Sequence, residues 1–599
     1  MLWFEEIASK VDGPQLVNDS KTPSGRVHVG ALRGVLIHYA AFWAVRARGC
    51  EARYRFGIDD YDPMDELPAD DTVDFREHLG RPLCNVPAPP GSDAPNLAEH
   101  FAGEFLAVFD HLGIPADFYR TSRLYGDGHV NEEIHAVLSH PEVIREIYLK
   151  VSGSQKPDHW YPFQVVCESC GRIGTTVVTG YDGAQVTYDC RPELVTWARG
   201  CGHHGKMSPF DGGGKLPWKL EWAAKWHHFG VTIEGAGKDH CTKGGSRDVA
   251  SAVLRRLFRR EPPVNVPYEF FLVEGAKMSS SRGVGASAKE ISDLLPPRVL
   301  KFLMLSRRPN QQVNFSPEKQ TITNLFNQFD RTRQQALGGD ADALTLLELC
   351  GDAPPVQCPL DFGLVTTFLQ IPRADLDEEA AKRKGAPLGD AERADLAERI
   401  DAARYWLESY ASEDDRITVH DALPPGVAEL TDAEKGFLHV LADVLEATEW
   451  AEQPLQAATY DAARRTPIPQ PTAFRAFYQA LLGRDAGPRA GPLLSVLEPD
   501  FVLGRLREVD YSESGFLVAT AITPPAFEEW VGKNARKIES AAAGLRAYPV
   551  GCVDVDFRLT DGKTERKRML SESLPDDPSA AHAYLEGLAR EHGFTITSE

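Results

Sequence analysis

The sequence predicts an α/β domain built on an open parallel sheet over residues 1–314, an all-α domain over 315–509 and a small α+β module over 510–599. Three observations carry that reading. Short β-like runs alternate with helical patterns through the first 300 residues, the texture turns to helix upon helix after about residue 315, and strand-like alternation returns from Gly515.

The elements follow in order. "QLVND" is an apolar run that leads to the Pro23/Gly25 turn, after which Leu32, Val35, Leu36, Tyr39 and Trp43 recur near helical spacing and Gly49 supplies a stop. "ARYRFGIDDYD" reads as a second strand ending in the carboxylates Asp59, Asp60 and Asp62. Strand, helix and strand with polar residues at the strands' carboxyl ends is how a parallel sheet builds a ligand crevice. In the helical half, "TDAEKGFLHVLADVL" opens with Thr431 and Glu434 in capping-box spacing and sets Phe437, Leu438, Leu441 and Leu445 on one face. "ADLAERIDAARYWL" does the same with Leu396, Ile400 and Leu407. Between them, residues 338 to 392 are rich in Asp, Pro and Gly and predict long loops. In the closing module "FLVATAI" reads as a strand, 527–545 as a helix, "VDVDFRL" as a strand and 580–591 as a last helix.

Composition bounds the function. A net charge of -22 requires any nucleic-acid partner to be met by local basic patches, which argues against indiscriminate nucleic-acid or DNA binding. "MLWFEEIASK" lacks the apolar core of a signal peptide and nowhere do eighteen apolar residues run together, so a cytoplasmic protein with no membrane partner is expected. Ten cysteines are too sparse for a disulfide scaffold, yet Cys167, Cys170, Cys190 and Cys201 crowd together. Cys167 and Cys170 form a C-x2-C knuckle followed by Gly171, suited to a structural Zn²⁺ inside an insertion at about 160–210. The ten-residue gap from Cys190 to Cys201 departs from a second knuckle, so His203 or His204 is an alternative fourth ligand.

Two further stretches carry chemistry. In "KTPSGRVHVGALRG", His28 at a strand-to-helix turn can reach phosphate oxygens while the helix N-terminus adds positive potential, and Gly30 lets a flat base approach the backbone. In "EGAKMSSSRG", Lys277 precedes Ser279, Ser280 and Ser281 between two glycines, a loop suited to holding a triphosphate as charge builds on it.

"HVG" after a first strand with "KMSSS" about 250 residues later resembles the signature pair of class I aminoacyl-tRNA synthetases. "TPSGRVHVG", "DDYDPM", "WYPFQVVCESCGR", "KLPWKLEWAAKW", "GKDHCTKGGSRD" and "YEFFLVEGAKMSSSRG" narrow the resemblance to the class I lysyl-tRNA synthetases, and "FYQALLGRDAGPRAGPLLSVL" extends it to about residue 509. The resemblance implies a Rossmann-type catalytic domain, a helical anticodon-binding domain over 315–509, and a two-step reaction on ATP with Mg²⁺, L-lysine and the tRNA for lysine. It implies that His28, Lys277, Ser279, Ser280 and Ser281 serve catalysis, and that Gly25, His28, Gly30, Ala31, Lys277 and Met278 hold ATP. For lysine it points to Gly25, Asp60, Trp218, Glu221 and His240, with Asp59 and Asp62 as further carboxylates; which of them takes the ammonium stays open.

The sequence also departs from the pattern. Ala31 stands where the class has a second histidine and the lysyl branch a small polar residue, and Glu221 stands where aspartate is expected. With the extra module, these motivate one rival, a paralogue that activates another amino acid or loads lysine elsewhere. A silent tRNA-binding protein is a second rival, weakened by the presence of both His28 and Lys277. The basic run "KTERKRM" reads either as a contact to tRNA backbone or as a solvated hairpin.

Overall fold

Residues Gln15–Lys21 form strand β1 and Ala52–Ile58 form β2, paired in parallel register from Gln15↔Ala52 to Lys21↔Ile58, with β3 (Asp117–Arg120) parallel on the far side of β2. Parallel bridges Val17↔Ile233 and Ile233↔Val264 continue the order on the other edge of β1, and Ala236–Gly237 pairs in parallel with Pro267–Tyr268. The carboxyl ends of these segments therefore share one edge, where a crevice opens. This computed structural model describes residues 1–68, 74–273, 276–277, 287–542, 547–548, 551–570 and 578–597. It divides into two compact units, Met1–Gln357 and Cys358–Glu599.

The helix expected after the first turn spans Ala31–Ala47, with Gly30 at its N-cap and Gly49 at φ 81° beyond its end, a backbone conformation that glycine adopts without a Cβ penalty. It is buried nearly all round, from Leu32 to Val45, because it packs between the strands β1 and β2 and the helices Trp3–Ala8 and Pro297–Leu305. Downstream, Phe271–Val273 pairs in parallel with Val313–Phe315 and antiparallel with Ala276–Lys277, in the register Leu272↔Lys277.

In the second unit the helix Asp432–Glu446 carries the expected capping box from Thr431 and Glu434, and "ADLAERIDAARYWL" lies within the helix Asp390–Ser409. The long loops expected over 338–392 are replaced by helices Ala341–Cys350, at the end of the first unit, and Phe362–Phe368 and Leu376–Lys384 in the second. Asp340, Asp361 and Asp375 each cap a helix by accepting from a backbone N–H three residues on, so the polar residues that suggested loops are helix starts.

The closing sheet runs in the order Ala521–Ile522, Thr564–Leu570, Cys552–Leu559, Ile538–Ala542, Thr595–Thr597. Its core face packs Val555 and Phe557 against Phe527, Val531 and Leu585 of helices Pro524–Asn534 and Pro578–His592. Two expectations change here. The "FLVATAI" stretch is mostly helix, Glu513–Ala519, capped by Ser512, and the helix expected over 527–545 stops at Asn534 and gives way to the strand Ile538–Ala542. The helix Glu513–Ala519 packs on Asp432–Glu446, with Phe516 so close over Gly436 that any Cβ there would fall 2.0 Å from its ring. The "KTERKRM" run is a strand whose cations are paired within the module: Arg566 with Asp556 at 2.7 Å, Lys567 with Glu565 at 2.7 Å, and buried Arg568 with Asp554 at 2.6 Å. The run is thus one arm of an antiparallel hairpin with Cys552–Leu559, exposed at its turn end, and with its cations paired in this way it is not an open basic patch.

Candidate functional site

A cleft of about 820 Å³ opens at the carboxyl edge of the first unit's parallel sheet. Its walls come from the ends of β1 and β2, the turn at 24–31, the segment 234–240 and the segment 268–271. Parallel topology explains this meeting, because every chain segment that leaves a strand must turn at this one edge.

The nucleotide-turn residues lie together on the wall. His28 forms a bridge to Ser287 and its carbonyl accepts from Ala31 N–H at 3.0 Å, while Gly30 and Ala31 begin the helix beside it. Gly25 is buried behind this surface rather than lining it. Lys277 lies in the short strand Ala276–Lys277, and Met278, Ser279, Ser280 and Ser281 lie outside the described residues.

Across the cleft, Trp218 opens the helix Trp218–Phe229 and is 44% exposed, with its ring centroid 5.4 Å from that of His240. Trp222 continues the aromatic wall 6.3 Å from His240. Buried Glu234 holds that wall in place by accepting from Trp222 Nε1 at 2.6 Å, Trp226 Nε1 at 2.8 Å and Asn18 Nδ2 at 2.8 Å. Such a slot suits the aliphatic stem of an amino acid.

The carboxylates expected from sequence are spoken for by the chain itself. Lys225 pairs with Asp59 at 2.5 Å and Glu221 at 3.0 Å, and Lys215 pairs with Glu221 at 3.1 Å and with Asp62. Tyr125 donates to Glu221 at 2.9 Å, Thr22 to Asp62 at 2.7 Å and Ser20 to Asp59 at 2.9 Å. Burial pushes Asp59 up, but the neighbouring ammonium of Lys225 outweighs it and holds the carboxyl below its ordinary value. Asp60 sits off the cleft wall, accepting from Ser122 N–H at 2.8 Å and from its hydroxyl at 2.5 Å.

Asp19 differs from all of these. It lines the cleft, accepts from Ser20 N–H at 2.9 Å, and is pushed up to about 7 by burial. It also lies 3.4 Å from the His38 ring, and the Lys21 ammonium on the same cleft wall acts on it from a distance, as it does on Asp59 and Asp62. His38 accepts from Gly235 N–H on Nε2 and donates to Gly34 carbonyl from Nδ1, which is the bonding of a neutral imidazole, and burial lowers its pKa further. Asp19 thus faces the cleft with no cation bonded to it among the described residues.

Sequence reasoning missed Asp19, Lys215, Lys225 and Glu234. Lys225 had a visible signal, its i,i+4 spacing from Glu221, and Asp19 a weaker one, a carboxylate inside the first apolar run before the glycine turn.

Apart from the cleft, the four cysteines converge. Sγ of Cys167 lies 3.7 Å from that of Cys201, Cys170 lies 3.7 Å from Cys190, and all four sulfurs fall within 4.8 Å of one another. Gly171 takes φ 70° in the knuckle and its N–H bonds the Cys167 carbonyl at 2.8 Å. His204 is turned to Asp189 at 2.8 Å, and His203 bonds Cys190 through its main-chain carbonyl. The cluster can hold a metal ion through four sulfurs.

The family described as tRNA synthetases class I (K) matches residues 1–346. Over 533 residues the chain is 32% identical to lysine–tRNA ligase 1 of Methanosarcina acetivorans, covering 85% of this chain and 98% of that protein. The lysine–tRNA ligase of Thermoplasma acidophilum is 32% identical over 518 residues (85% and 99%), and that of Archaeoglobus fulgidus 31% over 513 residues (85% and 99%).

Proposed function

The chain belongs to the class I (K) tRNA synthetases, and from that premise we propose that it ligates lysine to tRNA in the strand-end cleft of a Rossmann-type catalytic domain. A carboxylate oxygen of lysine attacks the α-phosphorus of ATP, the bond to the β-phosphate oxygen breaks, and lysyl-adenylate and pyrophosphate form. The 2′-OH of the tRNA's terminal adenosine then attacks the activated carbonyl and AMP leaves. Both steps depend on positioning and charge stabilisation more than on a side-chain nucleophile.

The observation that carries this reading is the meeting of the His28–Ala31 turn with the Trp218/His240 wall in one cleft. His28 and the start of the helix Ala31–Ala47 receive the phosphates, Gly30 admits the nucleotide, and Lys277 with Ser279 to Ser281 meets the charge that builds on the triphosphate, which arrives with Mg²⁺. Trp218 and His240 enclose the lysine stem. Asp19 pairs with one of the substrate's ammonium groups, because Asp59, Asp62 and Glu221 are each already ion-paired with Lys215 or Lys225.

The four cysteines suit Zn²⁺. Sulfurs about 2.3 Å from a tetrahedral centre stand about 3.7 Å apart, which is the spacing of the two close pairs here. Four thiolates fill the shell, so this ion would brace the insertion and take no part in the reaction. The helical residues from 315 to 509 would read the anticodon.

ATP–pyrophosphate exchange with each of the twenty amino acids tests the reading. Exchange with lysine alone is expected, slowed at least tenfold in His28→Ala, which corresponds to about 1.4 kcal/mol at the transition state. Exchange with another amino acid, or an unchanged rate in His28→Ala, would remove the assignment it concerns.

A further inference from the structure

Arg33 belongs to the opening nucleotide motif but does not line the cleft. It sits in the first turn of the helix Ala31–Ala47 and is 1% exposed. Its guanidinium donates to three main-chain carbonyls far downstream: Met304, at the end of the helix Pro297–Leu305, Arg308 at 3.0 Å and Gln311 at 3.1 Å. Trp3 Nε1 holds the same segment from the other side, through the Leu305 carbonyl at 3.0 Å.

The segment so held leads directly into the strand Val313–Phe315. That strand pairs with Phe271–Val273, which in turn registers Ala276–Lys277 through Leu272↔Lys277 and Val273↔Ala276. Main-chain bonds also join the two motifs nearer the cleft, where Ala288 N–H bonds the Val27 carbonyl at 2.8 Å and His28 bridges Ser287. One guanidinium therefore ties the helix that starts at the phosphate-binding turn to the strand pair that carries Lys277. A planar fork can span three separate carbonyls, whereas an ammonium concentrates its donors on one atom.

We propose that Arg33 is a positioning residue for adenylate formation, setting the backbone of Lys277 relative to His28 and the helix start. This rests on the proposed role of Lys277. It makes two demands: loss of the fork slows the step that needs both motifs, and that loss disappears once Lys277 is gone.

The test is a double-mutant cycle in the full-length chain with Arg33→Lys and Lys277→Ala, read by ATP–pyrophosphate exchange. Arg33→Lys is expected to lower kcat and raise the KM for ATP, together at least about tenfold in kcat/KM, with the KM for lysine within about twofold. The double variant should be no more than about threefold slower than Lys277→Ala, where independent effects would multiply. Transfer of lysine from preformed lysyl-adenylate to tRNA should be unchanged in Arg33→Lys. Multiplying effects, or a KM for lysine that rises with that for ATP, would overturn the role of Arg33 and leave Lys277 standing; an unchanged rate in Lys277→Ala would overturn both. If Arg33→Lys does not fold, Arg33→Gln replaces it in the cycle, and failure of both to fold assigns Arg33 to stability alone.

Discussion

Replacing Asp19 by Asn separates binding from stability in opposite directions. Burial raises the carboxyl from an ordinary 3.8 to about 7. Between those values the folded chain holds more protons than the unfolded one, so this group's contribution to stability is present at low pH and is lost as pH rises through about 7. A shift of about three units at ~1.4 kcal/mol each makes the ionised carboxylate cost the fold ~4 kcal/mol at pH 8. The asparagine oxygen can still accept from Ser20 N–H, and losing only the charge that strengthens this bond takes back ~1 kcal/mol. Asp19→Asn should therefore stabilise the chain by ~3 kcal/mol at pH 8 and by almost nothing near pH 4, where aspartic acid is neutral as asparagine is. The same change removes the charge proposed to pair with the substrate's ammonium, and on that proposal it costs ~3–5 kcal/mol for one partner of a buried pair. The KM for lysine should rise at least about a hundredfold while that for ATP stays within about twofold. In the unsubstituted enzyme, kcat/KM for lysine should climb with pH to about 7 and then level. Denaturant unfolding at pH 4.5 and pH 8, with pyrophosphate exchange at varied lysine, measures both halves. A lysine KM within about threefold, or an equal stability change at the two pH values, refutes the reasoning.

Glu221→Gln should destabilise the first unit by ~3 kcal/mol, since it leaves the buried ammoniums of Lys215 and Lys225 with one carboxylate each; urea unfolding followed by tryptophan fluorescence would show a midpoint shift, and an unchanged midpoint would contradict the network. Cys170→Ser should remove bound zinc, measured by elemental analysis of protein purified without added metal, and lower the thermal midpoint of the chain. Full zinc content in that variant would exclude Cys170 as a ligand.

The candidate site was legible in sequence where its chemistry is carried by short-range pattern. The turn at 24–31, the C-x2-C knuckle and Trp218 in "KLPWKLEW" each fall within a short stretch marked by glycines, spacing or aromatic content. The pairing of carboxylates was not legible. Asp59 and Lys225, or Asp62 and Lys215, are more than 150 positions apart, and no local pattern says which opposite charge will meet which once the strands turn at one edge.

By itself, then, the sequence determined the type of most elements, the turn that lines the cleft, the thiols that can hold a metal, and the family. Periodicity and turn chemistry act over three to four residues, and that information survives in a linear string. Tertiary structure alone decided which carboxylates pair with lysines of the chain itself, why "KTERKRM" is not an open basic face, and what Arg33 holds. Each depends on desolvation and on partners brought from distant segments. Whether a charge is free, cancelled or buried is a property of the packed surroundings and not of the residue.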